Sequence, residues 1–319
     1  MSARAALAAL LLIAAASSRA DAAPAWTWTL PAGFPPPLVP ADNPMNAAKV
    51  NLGALLFFDG RLSLTGAYSC ASCHRPSAAF TDGRARARGA LGDLHARNAP
   101  TLVNAAYGAS LGWLDSGLTT LEAQHRVPLF NESPVELGFG RVARERLAEL
   151  RTDPAIRALV PAAFDGSSPD RFDVDQIVAA LASYVRTLIF ADSPFDRYVY
   201  WGEPSLSADA LAGFALFASP RTGCADCHGG FALAGPVVSE RVPSAAPIFH
   251  DGVRAPTLRN VAVTAPYMHD GNVATLDDVL AFYSKVGRGR PLDLSADETR
   301  ELRAFLESLT DRRFADQAR

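Results

Sequence analysis

Apolar positions along this chain recur at helical rather than strand spacing. Residues 44–58 (PMNAAKVNLGALLFF) open at Asn43-Pro44, with proline in a first turn that needs no N–H, and continue with apolar side chains three and four apart. The same spacing predicts helices over 99–106, 118–125, 141–152 and 174–189. Residues 191–205 interrupt it with Pro194 and Gly202-Glu203-Pro204. Beyond them, Ser207-Ala208-Asp209 predicts the cap of a helix ending near Ala218, and Ser295-Ala296-Asp297-Glu298 forms a capping-box pattern for a helix through Leu309. Ahead of the first helix, residues 31–40 (PAGFPPPLVP) hold too many prolines for a regular helix and read as an extended arm over a domain surface. There is little strand signal, so the pattern predicts an all-α chain of two similar halves.

The first 22 residues stand apart: a basic residue, an apolar run from about Ala5 to Ala16, and the small-residue exit Ala20-Asp21-Ala22. This is the pattern of a cleaved secretory signal peptide. The run is shorter than the roughly 20 residues of a membrane span, and no later stretch is apolar enough for one. The expected product is a periplasmic protein starting near Ala23, with domains at 23–192 and 193–319. A net charge of −3 gives no footprint for nucleic acid. Arg84, Arg86 and Arg88 lack interleaved aromatics and read as a solvated loop.

All four cysteines fall in two short motifs, Cys70-Ala71-Ser72-Cys73-His74 and Cys224-Ala225-Asp226-Cys227-His228. Cys-x-x-Cys-His is the attachment pattern of c-type haem. The thiols add across the haem vinyl groups, and the adjacent histidine falls beneath the iron. A single zinc site built from two Cys-x-x-Cys pairs needs neither histidine. The motifs therefore predict two cytochrome c-like domains, each carrying one covalently attached haem c. An iron with an open sixth position does chemistry, and a closed one passes electrons. Spacing leaves His95, His125, His250 and His269 all open as sixth ligands.

Around these motifs the chain resembles the bacterial di-haem cytochrome c peroxidase and MauG superfamily. The resemblance rests on Arg97-Asn98-Ala99-Pro100-Thr101, Leu121-Glu122-Ala123-Gln124, Pro134-Val135-Glu136-Leu137-Gly138, Pro256-Thr257-Leu258-Arg259-Asn260 and Ala265-Pro266-Tyr267-Met268-His269-Asp270-Gly271. Asp42-Asn43-Pro44-Met45, Ala79-Phe80-Thr81-Asp82-Gly83 and Pro128-Leu129-Phe130 are most similar to its methanobactin-associated, MbnH-like branch.

The resemblance implies that the first haem reacts with hydrogen peroxide, with Glu136 moving the proton and Gln124 and Pro128 lining the pocket. It implies an inter-haem charge relay at Trp113 and a calcium ion held by Asn98, Thr264 and Pro266. The position of the second haem's sixth ligand, fourteen residues after His269, holds Tyr283, as in MauG; Met268 is the alternative. The loop 75–97 contains one histidine, His95, almost against Arg97-Asn98, too near that segment to match the family's gating ligand. A first haem open without reductive activation is therefore expected. The implied activity is formation of a state with both irons high-valent, oxidising a tryptophan on an exported partner protein to kynurenine. The alternatives are a peroxidase fed by a small redox protein and, in a different class, a di-haem electron-transfer protein.

Overall fold

The computed structural model describes residues 26–287 and 291–317; the leader expected at residues 1–22 lies outside them. The helices are α1 (Ala47–Phe57), α2 (Cys70–Cys73), α3 (Leu121–Phe130), α4 (Ala143–Thr152), α5 (Pro154–Ala163), α6 (Val174–Arg186), α7 (Pro194–Trp201), α8 (Ala208–Phe217), α9 (Cys224–His228), α10 (Leu276–Val286) and α11 (Ala296–Glu307). Among the described residues the single sheet is a hairpin of β1 (Phe249–His250) and β2 (Val253–Arg254), with Phe249 opposite Arg254. No described helix is long and apolar enough to cross a membrane.

Local chemistry explains where the elements depart from the periodic pattern. The first helix begins at Ala47 rather than Pro44, because the extended Asn46 takes the Lys49 N–H (2.7 Å) on its side chain. The Pro44 carbonyl is used outside the helix, accepting from Lys49 Nζ (2.7 Å). Residues 191–205, an expected interruption, contain α7. Ser193 caps it, Pro194 sits where its missing N–H costs nothing, and Gly202 ends it at φ 68°. Residues 99–106 are not an α-helix. The Thr101 hydroxyl takes the Val103 N–H (3.1 Å), and only Ala105–Tyr107 form a 3-10 turn.

Two sets of contacts recur along the chain. In one half α1 packs on α6, where a Cβ on Gly53 would lie 1.9 Å from the Ala180 carbonyl oxygen. In the other α8 packs on α11, where a Cβ on Gly213 would lie 1.9 Å from that of Glu301. The segments Ala99-Pro100-Thr101-Leu102 and Ala255-Pro256-Thr257-Leu258 repeat four residues. Each threonine donates to a carbonyl at 2.6 Å, Thr101 to Ala79 and Thr257 to Ala232. Each segment ends in a left-handed asparagine, Asn104 (φ 59°) or Asn260 (φ 63°), opening a 3-10 turn. The buried apolar residues follow the same division. One cluster includes Leu52, Leu56, Phe57, Phe139, Phe172 and Leu181, and another includes Phe195, Phe217, Leu302 and Phe305.

The proline-rich arm is extended and joins the halves. Phe34 packs edge-on against Tyr107 (5.8 Å) and Phe231 (4.8 Å), and the Tyr107 hydroxyl donates to the Pro35 carbonyl (2.7 Å). Above Phe34 lies Arg259, paired with Asp196 at 2.7 Å, with both side chains about 2% exposed or less. Asp196 also accepts from the Ser193 hydroxyl and N–H, so one carboxylate ties α7 to the Pro256–Asn260 segment.

Removing one partner strands the other charge in the interior. Arg259→Met is expected to cost about 3–5 kcal/mol in denaturant unfolding of the haem-loaded protein, and adding Asp196→Leu to recover part of it. A loss below about 1 kcal/mol would mean that the pair is not a structural anchor.

Candidate active site

Each attachment motif is a short helix delivering a histidine at its end. After α2, the His74 Nδ1–H donates to the Phe80 carbonyl (3.0 Å), which is aimed by two consecutive left-handed residues, Ala79 (φ 46°) and Phe80 (φ 60°). In α9, the His228 Nδ1–H donates to the Pro256 carbonyl (3.0 Å). A carbonyl only accepts, so both imidazoles carry their proton on Nδ1 and leave Nε2 free for a metal. Burial lowers both imidazole pKa values, holding the rings neutral as metal ligands must be. Burial also raises the thiols of Cys70 and Cys73 to about 12. Among the described residues no three His, Cys, Asp or Glu side chains converge to hold a metal ion, so the two cysteine pairs do not build one zinc site.

Cys70, Cys73 and His74 line a largely apolar cavity of about 520 Å³. Part of its wall comes from α3, where a spacing of four places Gln124 and Pro128 on the same face. Pro128 offers no N–H to the helix, and its carbonyl accepts from Leu137 N (2.9 Å), while Glu136 O accepts from Ala90 N (2.7 Å). These bonds hold Glu136 at the cavity wall. Burial pushes its carboxyl up to about 7. The Gln124 Oε1 atom is buried without a hydrogen-bond partner in the protein. An apolar slot with a locked neutral histidine, two thiols, and a few unspent polar groups fits a haem attached at Cys70 and Cys73.

Two histidines join this wall. His125 is buried, gives its Nδ1–H to the Leu121 carbonyl (2.6 Å), and is pushed down to about 4 by burial. His95 also lines the cavity, with its Nε2 buried and unpartnered. Its sequence proximity to Arg97 therefore does not keep it from the site. His250, by contrast, is exposed on the hairpin beside Asp251, and the His269 carbonyl accepts from Asn98 N (2.9 Å).

Trp113 lies on the same cavity, gripped from both halves. Its indole N–H donates to the Asn98 carbonyl (2.8 Å), and its own carbonyl accepts from Arg254 N (2.9 Å). Asn98 and Arg254 occupy equivalent positions, each directly before Ala-Pro-Thr-Leu. Thr264 and Pro266 also line the cavity, and Asn98 Nδ2 donates to the carbonyls of Arg84 (2.8 Å) and Pro266 (3.3 Å). Sequence reasoning passed over Arg254, although its position before a motif segment matches that of Asn98.

The remaining candidates lie elsewhere. Cys224, Cys227, His228 and Tyr283 are not on this cavity's wall, whereas Met268, in a left-handed conformation (φ 67°), is. Tyr283, on α10, has its phenol pKa raised by burial and then by Cys227 and Cys224, which places it beside the second motif.

Comparison with known proteins agrees with this architecture. The family model for di-haem cytochrome c peroxidase matches residues 47–205. The chain is 35% identical to the methylamine utilization protein MauG of Methylorubrum extorquens, covering 85% of this chain and 80% of that protein. It is likewise 35% identical to the cytochrome-c peroxidase IdrP1 of Denitromonas iodatirespirans, covering 94% and 92%. Among solved structures, a MauG-like protein associated with microbial copper homeostasis superposes with a TM-score of 0.83 at 36% identity, covering 92% of this chain and 99% of that one. A locked histidine in each half, and relatives aligned across both halves, together make the chain a member of the di-haem cytochrome c peroxidase and MauG family of peroxidase-type oxidoreductases.

Proposed function

We propose that this protein is a periplasmic enzyme that uses hydrogen peroxide to oxidise a protein partner, with a tryptophan converted to kynurenine. Residues 23–192 would carry one haem c on Cys70, Cys73 and His74, and residues 193–319 the other on Cys224, Cys227 and His228. The observation that carries this reading is the asymmetry of the two sites. One has a cavity with an unspent carboxyl group at its wall; the other has a tyrosine near enough to its cysteine pair for the thiols to raise the phenol pKa. The leader pattern of residues 1–22 supports export.

When bound, haem at His74 supplies the electrons for O–O cleavage. Glu136 takes the proton from one peroxide oxygen and returns it to the other, which leaves as water. Gln124 offers a buried amide to orient peroxide, and Pro128 holds the wall while adding no donor. Trp113 lies where charge passes between the halves. The Tyr283 phenol is protonated at neutral pH and its pKa is raised further by burial and by Cys227 and Cys224, so ligation to ferric iron would be what makes it a phenolate. A hard anionic donor there favours stored oxidising equivalents over an easily reduced relay. The chemistry balances with two peroxides: tryptophan and two H₂O₂ give kynurenine, formic acid and water. The substrate protein is what the MbnH-like resemblance of residues 42–45, 79–83 and 128–130 implies. Asn98, Thr264 and Pro266 provide amide and carbonyl oxygens of the hardness calcium takes.

One observation favours a second reading, removal of peroxide with electrons from a small redox protein. His95 carries an unpartnered Nε2 on the cavity wall and is able to close the first haem until reduction. An electron-transfer role without catalysis requires both irons six-coordinate.

Peroxide added to the ferric protein without reductant separates these readings. The proposed function expects an immediate spectral change and, with its partner present, a shift in the partner's mass; a silent ferric spectrum would leave gating or electron transfer. The rate should rise as pH passes through about 7, because Glu136 must be ionised to accept a proton. Glu136→Gln should slow it roughly 100-fold or more and flatten that pH profile. Tyr283→Phe should alter the ferric spectrum and abolish partner oxidation; an unchanged spectrum would remove Tyr283 as a ligand. Elemental analysis should find stoichiometric calcium, removable by chelator, and its absence from the purified protein would retire that site.

A further inference from the structure

A half-buried arginine on the cavity wall stands without a carboxylate. Arg186 and Arg259 each meet a carboxylate, Glu122 at 2.8 Å and Asp196 at 2.7 Å. Arg254, on β2, meets none among the described residues. Its Nε donates to the Gly112 carbonyl (3.1 Å), and its guanidinium lies 5.6 Å from the centroid of the Trp113 ring. The protein packed around it lowers its pKa to about 10, which still leaves it charged at neutral pH. It lines the cavity that contains Cys70, Cys73 and His74. Two residues further on, the Pro256 carbonyl holds His228. Arg254 is thus within one short segment of both haem sites.

A guanidinium packed partly out of water with no carboxylate partner keeps unspent donors, and it is the side chain best suited to bind a carboxylate through two parallel N–H bonds. The group expected in this cavity brings its own carboxylates, the two propionates of haem, which need a cation when they leave water. We propose that Arg254 binds a haem propionate and so sets an ion pair against the face of Trp113. The pairing also decides the field at the indole. A bare guanidinium over the ring opposes removal of an electron from it, whereas a guanidinium neutralised by propionate opposes it far less. The anchor requires haem in the cavity but not a charge relay at Trp113, so either idea can fail without the other.

The test uses the haem-loaded protein and its Arg254→Met and Arg254→Lys variants, with haem content checked by the pyridine assay. Resonance Raman spectra report the propionate bending band, and spectroelectrochemistry reports the two midpoint potentials. In Arg254→Met, one haem is expected to show a shifted band and a lower potential, since an uncompensated carboxylate favours ferric iron. Arg254→Lys, which keeps the charge but not the fork, should shift the band with less change in potential. The haem that responds identifies whose propionate is bound. If the Met variant does not load haem, the Lys variant carries the test through its band. Fully loaded variants with the wild-type bands and potentials of both haems would overturn the proposal.

Discussion

Everything the two sites can do depends on a hydrogen bond from each motif histidine to a main-chain carbonyl. The bonds from His74 to Phe80 and from His228 to Pro256, both 3.0 Å, fix the tautomer and leave Nε2 free for a metal. The two carbonyls are supplied differently. Phe80 lies six residues after His74 in a strained left-handed turn, whereas Pro256 lies 28 residues after His228, next to the short hairpin. Each half also places the counterpart of the other's carbonyl beside its histidine, Pro100 for His74 and Leu233 for His228, so the support is duplicated with the attachment pattern. The hairpin that positions His228 also carries Arg254 into the other half's cavity.

That paired support grows from a common frame. Gly53 and Gly213 allow equivalent close helix crossings, and Asn104 and Asn260 make equivalent left-handed turns. At the matched positions 103 and 259, however, one half buries valine and the other arginine. Arg259 recruits Asp196 and, above Phe34, holds the arm, so the second half gains an ionic anchor where the first has apolar packing. At the matched positions 98 and 254, asparagine faces arginine, and Trp113 is held between them. Divergence of two copies at a few positions gives each copy separate chemistry while the helix packing is kept.

How much of this was legible in the sequence depended on whether the signal was local. The caps at Ser207 and Ser295 and the two attachment motifs act through residues three or four apart, and the structure builds them where the pattern predicts. Pro194 misled because proline both ends helices and begins them, and the Ser193 side chain decides between the two. Residues 99–106 misled because helical spacing cannot register a threonine hydroxyl competing for a backbone N–H. At the site, Gln124 and Pro128 share a helix face, but it was the family resemblance, not their spacing, that named them. The meeting of that face with Glu136, and of Asn98 with Arg254 across Trp113, arises from folding over long separations, which no local pattern encodes. For the same reason His95, judged by distance along the chain, is placed by the loop 87–95, whose His95 N–H to Ala87 O bond (2.9 Å) turns it back onto the cavity.

Two charged groups of the cavity wall, Glu136 and Arg254, differ in kind, and that difference gives the site a direction. Glu136 is destabilised as an anion by burial alone, so it exchanges a proton near neutral pH and can serve chemistry on a small molecule at the wall. Arg254 remains charged in the same pH range, so it can hold a fixed anion but cannot move a proton. In the proposed mechanism, a titrating group on the Gln124 side and a permanent charge on the Trp113 side would separate proton transfer from electron transfer within one cavity. Peroxide chemistry needs protons delivered where the O–O bond breaks, while charge leaving through an indole is best served by a field that does not change with pH. A cavity built with the two roles exchanged would put a proton-dependent field on the relay, and its electron transfer would then vary with the protonation state of the peroxide step.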